Sequence, residues 1–417
     1  LFIIEFGSLI LSNIYLMKNL LFTLMFVFSL PFSVILCGQT PNTFLLRGSH
    51  LVEVKENYKK DNPHARTWIN ALIKLADKDI TQKPLSVVTK AKVPPSGNMH
   101  DYFSMAPYFW PDSSKPNHLP YINKDGQHNP EIDQINDHKN LLRLVRWVQE
   151  LSLAYYFTDD EKYAAKAAEL LYVWFLDTAT FMNPNLNYAQ AILGINDGRA
   201  SGMIDACDFS ILLNAVELLE GSRSWDEQSN KQLKEWFEKY YLWLLESKNG
   251  ITERKNKNNH GTWYDQQILS VALYLGKKGW AKEYIQTTAL ARIPQQIEPD
   301  GRQPLELART NALHYSTFAL EAWFKTANMA DCVGLDIWNY STADGRSFKK
   351  ALDWLLPYAI NEKKWEYQQI IEFDRYSFYR LLLQASNHYG NSYWIAAQKI
   401  KEEGTRNLIA EIFYEKL

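Results

Sequence analysis

The stretch NNHGTWYDQQ, from Asn258 to Gln267, places two amides and an imidazole at the entrance of an apolar segment. A helix start needs one such side chain to receive its first free backbone N–H groups. That leaves an amide and His260 as candidates for chemistry. Two other clusters carry reactive types: PDGRQPLELARTNALHYS, from Pro299 to Ser316, and GINDGRASGMID, from Gly194 to Asp205. Asn259, His260, Arg309 and Tyr315, if brought together, suit proton removal beside a carboxylate. Asn259 and Arg309 would donate to the carboxylate and stabilise the enolate-like intermediate. Tyr315, ionised beside Arg309, would take the proton and later protonate a leaving oxygen. On a uronic-acid polymer this is loss of H5 and of O4. Where the two lie on one side of the ring, as in mannuronate, a single Tyr serves as base and acid. Where they lie on opposite sides, as in guluronate, His260 must act as base across the ring. The scheme requires neither metal nor cofactor, and no paired histidines stand at ligand spacing near an acid.

Each residue also has an ordinary structural reading. Arg309 and Glu306 are three apart and could form a surface ion pair; a Tyr in an amphipathic helix is usually core. Arg199 and Asp205 could bind substrate or simply tie a loop to a helix. Arg309 and Tyr315 are six positions apart, so on one continuous helix they would point about 120° apart. They can share a site only if the helix begins after Arg309, with Thr310 or Asn311 as N-cap, and His314 then points elsewhere. Further candidates for sugar contact are Asn258, Trp263, Tyr264, Gln303, Glu306 and Arg199. His100, Tyr102, Tyr108 and Trp110 join them from an irregular segment, 92–137, rich in Pro, Gly, Asn and His. Long loops in compact domains are usually functional, and this one is expected to wall or cover a groove; the alternative is a plug on the barrel end.

The elements that must position these residues are helices. Apolar positions recur at helical spacing in Trp68–Leu75, Leu141–Tyr156, Tyr163–Leu176, Gly202–Leu219, Trp225–Leu245 and Gln266–Leu275. The series continues in Ala281–Ile293, Leu313–Thr326, Phe348–Leu356, Ser377–Asn387 and Ser392–Lys399. Few segments read as strands. Repeated helix pairs in one chain predict an all-α toroid or incomplete barrel of about six to seven pairs. The 417 residues carry a net charge of −2, without the basic excess of a nucleic-acid binder. Of the 14 Trp, 24 Tyr and 20 Phe, most are expected in the core and a handful in a groove, where Trp and Tyr faces suit sugar rings. Residues 1–38 read as an upstream extension and a secretory signal starting at Met17, with release to the periplasm; a lipoprotein anchored at Cys37 is the alternative. Residues 39–417 then form one catalytic domain with no membrane span, expected to be a monomer. Two cysteines, Cys207 and Cys332, remain, too few for a disulfide framework.

NNHGTWYDQQ, PLELARTNALHYS and HDYFSMAPYFWPD together resemble the alginate lyase superfamily of α/α-toroid polysaccharide lyases. Their order and spacing most resemble polysaccharide lyase family 38 of gut Bacteroides, with family 5 more distant; the resemblance spans about Asn98 to Asp374. It implies that Asn259 and His260 are the family's Asn–His pair, Arg309 its arginine and Tyr315 its catalytic tyrosine. It also implies endo-acting β-elimination on alginate, an anionic polysaccharide, leaving an unsaturated uronate. Relatives that cleave glucuronan share these motifs, so glucuronan is the alternative substrate. Two other classes compete. An inverting hydrolase would need two carboxyls about 6.5–9.5 Å apart, drawn from Asp205, Asp208 and Glu306. A non-catalytic glycan-binding protein would use the aromatics alone.

Overall fold

The computed structural model describes residues 40–402 and 405–415. The signal segment and Cys37 lie outside the described residues. Among the described residues, the α-helices of seven residues or more are α1 (Gly48–Lys59), α2 (Pro63–Asp79), α3 (Asp137–Thr158), α4 (Glu161–Leu171), α5 (Phe209–Val216), α6 (Glu227–Glu246) and α7 (Lys248–Arg254). They continue as α8 (Asn259–Tyr274), α9 (Lys278–Tyr284), α10 (Ala312–Asp331), α11 (Phe348–Ala359), α12 (Arg375–Tyr389), α13 (Asn391–Ile400) and α14 (Leu408–Tyr414).

Successive inner helices pack side by side in the order α3, α5, α8, α10, α12; α14 then bridges α12 to α2, and α2 returns to α3. The result is the expected α/α toroid, with its ring closed by the C-terminal helix. The inner position of α8 and α10 is written in their burial. In α8 every residue but His260 is buried, and α10 is buried on nearly all sides. A helix apolar or satisfied all round belongs inside. Amphipathic helices such as α4 and α11 carry one buried stripe and lie outside. Rings of Phe175, Phe209, Trp236, Phe237 and Tyr240 interlock mostly edge to face between inner and outer layers. Much of the aromatic excess is therefore core.

Several predicted helices are interrupted. Gly202–Leu219 divides into a 3-10 segment, α5 and a second 3-10 turn, while Tyr163–Leu176 and Ala281–Ile293 pass into π-helical turns at Tyr172–Leu176 and Ile285–Ala289. Segment 92–137 is ordered. It holds β1 (Phe103–Met105), paired in parallel with β4 (Tyr188–Ala191), and the hairpin of β2 (Phe109–Trp110) and β3 (Ile122–Asn123). A separate apolar cluster of Phe103, Met105, Tyr121, Ile135 and Ile192 supports it. Among the described residues no helix is long and apolar enough to cross a membrane.

Candidate active site

The entrance of α8 divides its three polar residues by task. Asn258 is the N-cap: its Oδ1 accepts from the His260 N–H at 3.2 Å. Asn259 is buried, and both its backbone N–H and its Nδ2 donate to Glu306, at 2.7 and 2.6 Å. Glu306 thus fixes the amide from beneath. Burial raises the Glu306 carboxyl above its usual range, and the two Asn259 donors offset only part of that. His260 is half-buried, with Nδ1 2.6 Å from Oε1 of Glu253, itself 1% exposed. Glu253 also accepts from Asn256 at 2.7 Å. With Nδ1–H given to Glu253, Nε2 is left with its lone pair, the form a base needs. Gly261 follows because nothing larger fits: a Cβ there would lie 2.1 Å from the Asn256 carbonyl and 2.3 Å from Nη1 of Arg292.

α10 begins at Ala312, after Arg309, as the spacing required, with Asn311 at the N-cap position. The Asn311 side chain, however, accepts from the Ile370 and Ile371 N–H groups rather than capping its own helix. Arg309 and Tyr315 meet: the guanidinium lies 3.7 Å from the centre of the phenol ring. Arg309 is also held by Asp125, through Nη2 at 2.5 Å and Nε at 3.1 Å, and Thr310 donates to the same carboxylate. Burial would raise the Asp125 carboxyl, but these donors outweigh it and hold it below its usual value. The Tyr315 hydroxyl donates to that of Tyr108 at 2.8 Å. Burial pushes the Tyr315 phenol well up, Tyr108 pushes it further, and Arg309 recovers only part. These surroundings work against the ionised Tyr315 expected beside Arg309.

Asn259, His260, Arg309, Tyr315, Tyr108 and Asp125 line one cavity of about 460 Å³, together with His128, His138 and His314. His314 does not point elsewhere, as the helix geometry led us to expect; it shares the cavity, stacked on Phe318, and burial lowers its basicity. Arg199, Gln190 and Asp205 line the same cavity. Asp205 accepts from Tyr102, Ser104 and Gln190.

Other candidates lie away from the cavity. Tyr102 is fully buried beneath it, on Asp205. Trp263 is buried against Phe318, Tyr264 donates to the Leu244 carbonyl, and Gln303 donates to the Ser316 carbonyl. His100 packs on Phe181, and Trp110 lies on the hairpin, donating to Gln127. Tyr102, Trp263, Tyr264 and Gln303 are too buried to meet a sugar, His100 and Trp110 are half-buried outside the cavity lining, and Glu306 and Asn258 bond to their neighbours Asn259 and His260. The carboxyl pair of a hydrolase is not free either: Asp208 is tied to Lys325 at 3.0 Å, Glu306 to Asn259, and Asp205 to three donors. Glu253 and Asp125, which complete the site, escaped the sequence reading. Glu253 had a faint signal, seven residues before His260.

The family model described as alginate lyase matches residues 86–365. Among solved structures, an alginate lyase from Bacteroides ovatus is 41% identical, with a TM-score of 0.85, covering 90% of this chain and 99% of its own. Alginate lyase A1-III from Sphingomonas species A1 is 14% identical, with a TM-score of 0.56, covering 92% and 100%. A complex of alginate lyase A1-III with a tetrasaccharide gives 14% and 0.57, covering 93% and 99%. At that identity the likeness is one of fold. No curated protein matches the chain.

Proposed function

The chain belongs to the alginate lyase family, and from that premise we propose that it cleaves both mannuronate and guluronate linkages of alginate by endo-acting β-elimination. Within the superfamily we assign it to polysaccharide lyase family 38 of gut Bacteroides, exported through residues 1–38 to the periplasm. The observation that carries the mechanism is the meeting of Asn259, His260, Arg309 and Tyr315 in one cavity. Asn259, fixed by Glu306, donates to the carboxylate of the reacting sugar and shares the charge that develops when C5 loses its proton.

For guluronate, His260 Nε2 takes H5. The C5–H electrons form the C4–C5 double bond, the C4–O4 bond breaks, and the Tyr315 phenol protonates O4. The resting proton on Tyr315 and the orientation of His260 by Glu253 suit this division without rearrangement. For mannuronate, Tyr315 must first lose its proton; as phenolate it then takes H5 and hands that proton to O4. Arg309, stacked on its ring, favours the phenolate.

The test is to follow the ultraviolet absorbance of the new double bond on polymannuronate, polyguluronate and glucuronan separately. A rise on both alginate blocks, lost in Tyr315→Phe while the melting curve is kept, is expected. A rise on glucuronan alone would overturn the substrate, and reducing sugar without a double bond would overturn the reaction. Sequencing the N-terminus of protein recovered from the periplasm and from the outer membrane tests export; cleavage elsewhere than near residue 38 would overturn it.

A further inference from the structure

Two guanidinium groups line the cavity, and their surroundings differ. Arg309 is paired with the Asp125 carboxylate through two hydrogen bonds, so its charge is already compensated. Arg199 has no carboxylate within 4.0 Å among the described residues; its one hydrogen-bond partner there is neutral, Oε1 of Gln190, at 2.6 Å from Nη2. Nε is shielded from solvent without an acceptor. A desolvated cation with one neutral partner is costly unless an anion arrives. Burial lowers the basicity of Arg199, and the more distant Asp205 and Glu253 carboxylates offset only part of that.

The neighbours orient this cation without neutralising it. Gln190 donates through Nε2 to Asp205 at 2.8 Å, so its amide oxygen must turn to Arg199. Asp205 in turn is held by Tyr102 and Ser104, at 3.0 and 2.6 Å. Gln190 sits at φ 52°, a left-handed conformation that a non-glycine residue adopts at a cost. Its N–H is tied to Ser104 Oγ at 2.8 Å, which helps hold it there. On the backbone side Arg199 N–H bonds the Ala189 carbonyl, and Gly198 and Gly202 allow the approach: a Cβ on either would meet strand β4 or the residue before it at 2.1–2.5 Å. The Phe109 ring covers the guanidinium from the hairpin, 5.2 Å away.

Resting on the reading of the cavity as a uronate site, we propose that Arg199 is the arginine that receives a substrate carboxylate, with Gln190 and Asp205 as its positioning residues, and that Arg309 is not. Arg309 acts on the Tyr315 ring instead.

The experiment compares the wild-type protein with Arg199→Ala and Arg199→Lys on polymannuronate and polyguluronate. Loss of a charge-assisted contact predicts a fall in kcat/KM of about 10- to 100-fold for Arg199→Ala. Arg199→Lys should fall between, and millimolar guanidinium chloride should restore part of the Ala variant's activity at unchanged Tm. In a Tyr315→Phe background, which prevents turnover, calorimetry would compare an alginate oligosaccharide with its methyl ester. The preference for the free acid should shrink by a similar factor when Arg199 is replaced. Arg199→Ala within twofold of wild type, a loss that guanidinium does not restore, or an unaltered acid preference would each overturn the assignment. Wild-type protein inactive on both alginate blocks would instead overturn the underlying function, and that is read from the wild-type arm alone.

Discussion

At the scale of single residues, the proposed mechanism rests on two neighbours of the reacting groups. Burial and Tyr108 raise the Tyr315 phenol, and Glu253 holds His260 by its Nδ1. Because the folded value of the phenol is raised, the phenolate fraction at neutral pH is small and grows about tenfold per pH unit until that value is reached. On the proposed scheme polymannuronate cleavage uses the phenolate, so it should climb with pH in the alkaline range more steeply than cleavage of polyguluronate. Parallel pH profiles of kcat/KM on the two blocks check this, and identical slopes would count against the two-base scheme. Glu253→Gln should leave the imidazole in place but weaken its orientation, lowering the polyguluronate rate about 10- to 100-fold and the polymannuronate rate much less. Asn259, His260, Arg309 and Tyr315 could be grouped from the sequence because their residue types suit one chemistry, and they do line one cavity. Their counter-groups were not. Asp125 reaches Arg309 across 184 positions, and Tyr108 reaches Tyr315 across 207, distances at which no local pattern survives.

At the scale of elements, the site depends on where two inner helices begin. α10 could be placed from spacing alone, since Arg309 and Tyr315 cannot meet on one unbroken helix. α8 begins at the amide cluster, as expected, with Asn258 as its cap; its apolar periodicity starts only at Gln266, because polar side chains satisfied by buried partners fill its first turns. The clearest of those partners is Arg292, which donates to both oxygens of Asp265 and to the Asn256 and Arg254 carbonyls. Gly261 abuts that guanidinium. Gly261→Ala should cost about 1–3 kcal/mol by overpacking and displace His260 next to it, so that Tm and activity fall together in melting and rate assays. Segment 92–137 was legible as a wall, but its strands were not, since β1 to β3 hold two or three residues each.

For the whole molecule, helical periodicity foretold the toroid, whereas ring closure rests on a short final helix that no periodicity flags. Leu408, Ile412 and Phe413 of α14 are buried, His50 hydrogen-bonds the Ile412 carbonyl, and Asn387 donates to that of Tyr414. Burial of three such side chains contributes about 4–9 kcal/mol as an upper bound, comparable with the net stability of a domain. Truncation after Ile400 should therefore leave a chain without a cooperative thermal transition, as circular dichroism would record; a sharp melt near the full-length Tm would show that the ring holds without its last helix.

The cavity draws His260 and Tyr315 from the interior ring and Tyr108 and Asp125 from the hairpin segment. These parts are inherited under different constraints. A change in α8 or α10 disturbs a packed core on every side, whereas the hairpin rests on its own small apolar cluster. Divergence can therefore rework which sugars are admitted, one hairpin at a time, while the reaction itself stays fixed.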